Sequence, residues 1–110
     1  MLVLFDHGTP APLQAFLSHD HSVREAKAQG WDRLTNGELL TAAEAAGFEV
    51  LVTTDKNMRY QQNLTGRCIA IVVLGNAQWP ILKQQVHLVV AAVDSATPGS
   101  YAEVDVPGRP

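Results

Sequence analysis

The sequence predicts an α/β domain of three layers: a mostly parallel sheet of about five strands in 2-1-3-4-5 order, with helices on both faces. Strand-like and helix-like segments alternate along the whole chain, the pattern that yields a parallel sheet joined by crossover helices. Residues 2–5 and 68–74 are apolar at every position, as strands covered on both faces require. With 110 residues the chain has room for one compact core and too little for two ordinary domains. Residues 1–106 are therefore read as one domain, and 107–110 (Pro-Gly-Arg-Pro) as a loose tail.

The first strand ends at Asp6. His7-Gly8-Thr9-Pro10 then gives a turn, with Thr9 as the expected N-cap and Pro10 at the first helical position, where its missing N–H costs nothing. A helix over 10–17 follows. Residues 21–24 carry a weak strand signal, and a helical turn over 25–29 stops at Gly30. Asn36 is read as the N-cap of a helix whose Leu39, Leu40, Ala43 and Ala46 share one face and which Gly47 ends. Val50, Leu51 and Val52 make 48–53 β-rich, and Thr54-Asp55 closes it with capping chemistry for a short helix over 56–63. Gly66 turns the chain into the strand at 68–74. After Gly75-Asn76, the spacing of Ile81, Leu82, Val86, Val89, Val90 and Val93 predicts a long helix over 80–96. Thr97-Pro98-Gly99 ends it, and 101–106 alternates as a half-exposed edge strand does.

Apolar residues are 46% of the chain and charged residues 17%, a balance that excludes a disordered or collagen-like protein. The longest apolar run is seven residues, against about 20 for a membrane-spanning helix. Met1 leads straight into Leu2-Val3-Leu4-Phe5 with no basic region or cleavage site, so a cytoplasmic protein is expected. The single cysteine, Cys68, forms no internal disulfide and reads as a small buried hydrophobe. A net charge of −3 argues against a general nucleic-acid coat. Between Lys56 and Val93, however, Lys56, Arg59, Arg67 and Lys83 occur with no acid; the segment reads either as a solvated mixed face or as a face for a polyanion.

Ligands of open α/β sheets bind at the carboxyl ends of the strands, beside the point where strand order reverses. Asp6 follows the first strand and Asp55 the third, neighbours about 4.8 Å apart in the expected order. Two carboxylates so close repel unless one is protonated or a cation sits between them, so a divalent metal is the natural third party. Glu38, in the first turn of the helix near Asn36, is a third candidate oxygen ligand. Such a site supports metal-assisted attack of water on a phosphodiester. Each acid also has a structural reading: Asp55 as a helix cap and Glu38 as an acid favouring a positive helix end. Asp6 has none, since Thr9 already supplies the first cap. His19-Asp20-His21 superficially resembles a metal site, but alternate residues of an extended segment splay apart. The Cys-x-x-Cys, Gly-rich phosphate-loop and Gly-x-Ser-x-Gly patterns are absent.

Val3-Leu4-Phe5-Asp6 before a Pro-started helix, Asn36-Gly37-Glu38-Leu39-Leu40 opening a second, and Val52-Thr53-Thr54-Asp55-Lys56-Asn57 after a strand together resemble the short PIN-like domains related to toxin ribonucleases of toxin-antitoxin pairs. The resemblance covers roughly residues 2–75, and Thr-Thr-Asp-Lys is its most specific part. In that family acids hold Mg²⁺ or Mn²⁺ for RNA cleavage, and the matching positions are Asp6, Glu38 and Asp55. The resemblance thus implies a metal-dependent endoribonuclease acting on single-stranded RNA, an antitoxin protein as its partner, and pairing with a second copy. Trp79 and the long helix are the surface for such pairing or, equally, part of the monomer core. Lys56 or Arg59 would steady the scissile phosphate, Lys56 thereby joining the catalytic set. Tyr60 and Gln62, in the polar stretch 59–63, would stack on a base and hydrogen-bond RNA, or belong to an ordinary amphipathic helix. His7, Asn36 and Asn57 stand where similar proteins carry further acids, which weakens metal binding, and Asn76 is placed to lend a compensating oxygen. The alternative is a catalytically inactive PIN-like module that binds RNA or protein; a phosphohydrolase with Asp6 as nucleophile lacks the second acid two residues on.

Overall fold

The computed structural model describes residues 1–58 and 66–105. Its five strands are β1 (Leu2–Phe5), β2 (Ser22–Glu25), β3 (Val50–Thr53), β4 (Ala70–Leu74) and β5 (Tyr101–Val104), all parallel, in the order β2-β1-β3-β4-β5. The expected sheet is the one observed. Central strands β1, β3 and β4 are buried almost throughout, whereas edge strand β2 buries only Val23 and β5 only Val104. Continuous apolar runs thus fall where helices cover both faces, and mixed runs fall at the edges.

Side-chain alternation divides the core in two. Val3, Phe5, Val50, Val52, Val72 and Leu74 point to one face, where they meet Leu13 and Leu17 of the first helical segment and Leu82, Val89 and Val93 of the last. Leu4, Leu51, Ile71 and Val73 point to the other, against Leu39, Leu40 and Ala43. Helix, sheet and helix therefore form three layers.

Helices differ from the expectation in detail. The segment expected over 10–17 is a 3₁₀ turn, Ala11–Leu13, running into α1 (Gln14–Leu17), and no side chain caps it. Thr9 instead donates its hydroxyl to the Val52 carbonyl at 3.0 Å, fastening the β1–α1 loop to β3. Helix α2 (Asn36–Ala45) is capped by Thr35 rather than Asn36: the Glu38 N–H donates to Thr35 Oγ1, and Glu38 Oε1 accepts from the Thr35 N–H at 2.9 Å. This is a capping box, with both orphan donors satisfied reciprocally. The long helix expected over 80–96 is broken into α3 (Trp79–Leu82), a 3₁₀ turn (Lys83–Gln85) and α4 (Val86–Asp94), with Gln85 leaving helical geometry at φ −122°, ψ 21°. Lys83-Gln84-Gln85 buries no side chain that would hold the ladder straight. Trp79 packs on the core of this face, 5.9 Å from the ring of the exposed Phe16.

Cys68 is exposed rather than buried, because β4 starts only at Ala70 and the preceding backbone is held from outside. Glu44 does the holding: its Oε2 accepts from the Cys68 N–H at 2.7 Å and its Oε1 from the Arg67 guanidinium at 2.6 Å. Gly99 completes this corner at φ +77°, where a Cβ would meet the Arg67 carbonyl at 2.8 Å, so only glycine fits. Burial raises the Glu44 carboxyl pKa, but Arg67 and the Cys68 and Ile69 N–H groups outweigh it and hold it below its ordinary value of 4.5. With the folded value depressed, this contribution to stability is fully present above about pH 4.5 and is lost as pH falls through the lowered value. Chemical denaturation between pH 6 and 3 should show Glu44→Gln losing less stability than the wild type over that acid window.

No described helix is long and apolar enough to cross a membrane. The end of the strand expected at 101–106, the 56–63 helix beyond Met58 and the 107–110 tail lie outside the described residues.

Candidate functional site: two aspartates joined through Thr53

The parallel register carries Asp6 and Asp55 to one edge of the sheet. Phe5 pairs with Val52, and the Asp6 N–H donates to the Val52 carbonyl at 2.9 Å, so Asp6 lies beside Thr53, the last residue of β3. Alternation then turns Asp6 and Thr53 to the same face, that of α2. Thr53 is fully buried, and its hydroxyl joins the two aspartates. It donates to Asp6 Oδ2 at 2.8 Å and accepts from the Asp55 N–H at 3.1 Å. One carboxylate and the backbone of the other residue are therefore two hydrogen bonds apart.

Each carboxylate has one backbone donor and one side-chain donor. Asp6 Oδ1 accepts from the His7 N–H at 2.7 Å, in addition to the Thr53 hydroxyl. Asp55 Oδ1 accepts from the Asn57 N–H at 2.9 Å, and Oδ2 from the Asn36 side-chain amide at 2.8 Å. Asn36 begins α2, so this bond ties the helix N-terminus to the end of β3. A carboxylate offers about four acceptor positions, and two of them are filled on each residue by these bonds. The donors left are hard oxygens on half-buried residues, the ligand chemistry Mg²⁺ and Mn²⁺ take.

Both aspartates also have structural duties. Asp55 closes the turn after β3, and Asp6, for which the sequence suggests none, accepts the hydrogen bond of a buried hydroxyl whose donor would otherwise be unsatisfied. Glu38 is not drawn in with them: it is exposed, and among the described residues no three His, Cys, Asp or Glu side chains form a group able to hold a metal. The Thr35 N–H and hydroxyl hold the Glu38 carboxyl below its ordinary pKa, which is the electrostatic signature of its capping box. Asn76 spends its side-chain oxygen on the Gln78 N–H at 2.8 Å. Lys56 is exposed, directly after Asp55. Arg59, Tyr60 and Gln62 lie outside the described residues. Arg67 is committed to Glu44 at the opposite edge of the sheet.

His19 and Asp20 are exposed, while His21 turns inward: Nε2 lies 2.7 Å from Asp94 Oδ1 and Nδ1 3.2 Å from the Met1 amino nitrogen. That triplet divides between solvent and a structural tie, and it lies in the turn before β2 rather than on the extended segment the splaying argument assumed. An apolar cavity of about 360 Å³, lined by Met1, Phe48, Cys68, Ala70 and Pro98, opens at the amino ends of the strands, away from both aspartates. A mixed-polarity cleft of about 380 Å³ opens at the carboxyl edge and is lined by Lys56, Val73, Gly75, Glu103, Val104 and Asp105.

The residue missed by sequence reasoning is Thr53. Its signal was a polar side chain closing an apolar strand on the same face as Asp6, readable once β1 and β3 are paired. Comparison with protein-family models, with curated proteins and with solved structures finds no match to this chain.

Proposed function

We propose that the protein is a metal-dependent endoribonuclease of the PIN-like kind, in which Asp6 and Asp55 together hold Mg²⁺ or Mn²⁺ at the carboxyl edge of the sheet. The supporting observation is the Thr53 hydroxyl, which orients Asp6 and anchors the backbone of Asp55 within one hydrogen-bonded unit. Mg²⁺ is commonly held by one or two carboxylates together with waters and substrate phosphates, so two aspartates suffice without Glu38. When bound, the ion supplies activation of water and neutralises charge on the phosphate. The chain's own residues do the rest. Asn36 fixes the Asp55 carboxylate from the start of α2, and Thr53 fixes Asp6, so neither side chain has to be ordered when substrate arrives. Lys56 steadies the substrate phosphate, and Glu38 keeps α2 in place. A role as the toxin of a toxin-antitoxin pair, acting in the cytoplasm, belongs to this reading.

A second reading, a non-catalytic module that binds RNA or protein, is favoured by the two donors already present on each aspartate. Incubating single-stranded RNA with the protein in Mg²⁺, in Mn²⁺ and in EDTA separates the two. The nuclease reading predicts cleavage with either metal and none with chelator; intact RNA under all three conditions, with RNA still bound, supports the module.

A further inference from the structure

The register continues the line of Asp6 and Thr53 across the sheet: Thr53 pairs with Val73, and Val73 with Glu103. These four residues form one row along the carboxyl edge on the α2 face, at about 4.8 Å per strand. Asp6 and Thr53 form the β1–β3 end of that row, with Asp55 two residues beyond Thr53. The cleft of about 380 Å³ occupies the β4–β5 end and is lined by Val73 and Glu103 of the same row.

That cleft carries charge of both signs. Lys56, Glu103 and Asp105 line it, yet none of them forms an ion pair with another described residue. Glu103 is oriented instead by the Tyr101 hydroxyl, which donates to Oε1 at 3.2 Å. The floor is closed by Gly75, whose N–H donates to the Val104 carbonyl at 2.8 Å, and by Val73. A simple anion would meet Lys56 but face two carboxylates, and a simple cation would meet the reverse conflict. The complementary ligand carries an anionic group at one end and hydroxyl donors at the other. A cleft of this volume falls within the range of small-molecule sites, roughly 300–1,000 Å³.

We propose that the cleft seats the ribose-phosphate unit of a ribonucleotide, with Lys56 on the phosphate and Glu103 accepting hydrogen bonds from the ribose hydroxyls. A carboxylate is the group that recognises a ribose 2′-hydroxyl in other α/β sheets, and the 2′-hydroxyl is what separates RNA from DNA. The inference deepens the RNA-cleavage reading and rests on it for its biological meaning: the seated nucleotide neighbours the bond to be cut, and Glu103 selects RNA over DNA.

The test is binding of adenosine 5′-monophosphate and of its 2′-deoxy analogue to the full chain in EDTA, followed by backbone-amide NMR shifts. The ribonucleotide is expected to shift Gly75 and Val104 saturably and to bind about tenfold tighter than the deoxynucleotide, the value of one charge-assisted hydrogen bond in an open cleft. Glu103→Ala should bring the two nucleotides to equal affinity, and Lys56→Ala should weaken both alike. Equal affinities in the wild-type protein, absence of shifts at Gly75 and Val104, or a ribose preference that survives Glu103→Ala would each overturn the assignment. The wild-type comparison needs no variant to fold. Since the assay contains no metal and reads no cleavage, RNA cleavage that persists without ribose preference would remove this inference alone, whereas a chain that prefers ribonucleotides but never cleaves RNA would remove the nuclease reading alone.

Discussion

Asp6→Asn and Asp55→Asn should each lower RNA cleavage in Mg²⁺ by about 100-fold or more while leaving the fold intact. The substitution removes the negative charge that holds the cation and keeps the size of the side chain. At Asp6 the amide oxygen still accepts from the buried Thr53 hydroxyl, so no core group loses its partner. At Asp55 the amide oxygen still accepts from the Asn57 N–H, and the new amide nitrogen donates to the Asn36 side-chain oxygen once that amide turns over. Denaturation midpoints should therefore change by less than about 1 kcal/mol in equivalent stability. Activity lost together with the fold would point to the structural duties of these residues; activity retained in both variants would remove the metal assignment.

Thr53→Val should act on stability and activity at once. Valine has nearly the shape of threonine but neither donates nor accepts, so Asp6 Oδ2 loses a donor and the Asp55 N–H loses its acceptor. At a fully buried position the expected cost is about 1–3 kcal/mol. Cleavage should fall by about 10–100-fold, the range seen when groups that orient metal ligands are removed. Thr53→Ser restores both bonds and should recover most of the activity, which loss of packing alone would not allow.

The sheet was legible because each central strand announces itself. Leu2–Phe5 and Ala70–Leu74 are apolar at every position, and an apolar run this short between turn residues has few other uses. The site was legible in part: Asp6 and Asp55 stand at strand ends by simple counting. What lay between them was not, because the role of Thr53 depends on pairing two strands that bring it to Asp6, 47 residues earlier in the chain. The α2 cap was misplaced by one residue although the sequence carried the deciding pattern: Thr35-Asn36-Gly37-Glu38 has its glutamate three residues after Thr35, the capping-box spacing. That same spacing gives Glu38 its observed duty, accepting from the Thr35 N–H. At the first helix the reverse happened, with Thr9 fitting a cap by sequence while the neighbouring strand end offered its hydroxyl an acceptor in Val52. Local chemistry gave way to a tertiary contact there. Lys56 and Glu103 could not be associated from sequence at all, since only the β3–β4–β5 register brings the two segments to one cleft.

The measurement that bears most directly on the central claim is anomalous diffraction from crystals of the protein soaked in Mn²⁺. A manganese peak in contact with carboxylate oxygens of both Asp6 and Asp55, and absent from Asp6→Asn crystals, is the expected result. Crystals in which Mn²⁺ binds elsewhere, or in which both carboxylates keep only their bonds to Thr53, His7, Asn36 and Asn57 at saturating Mn²⁺, would contradict it.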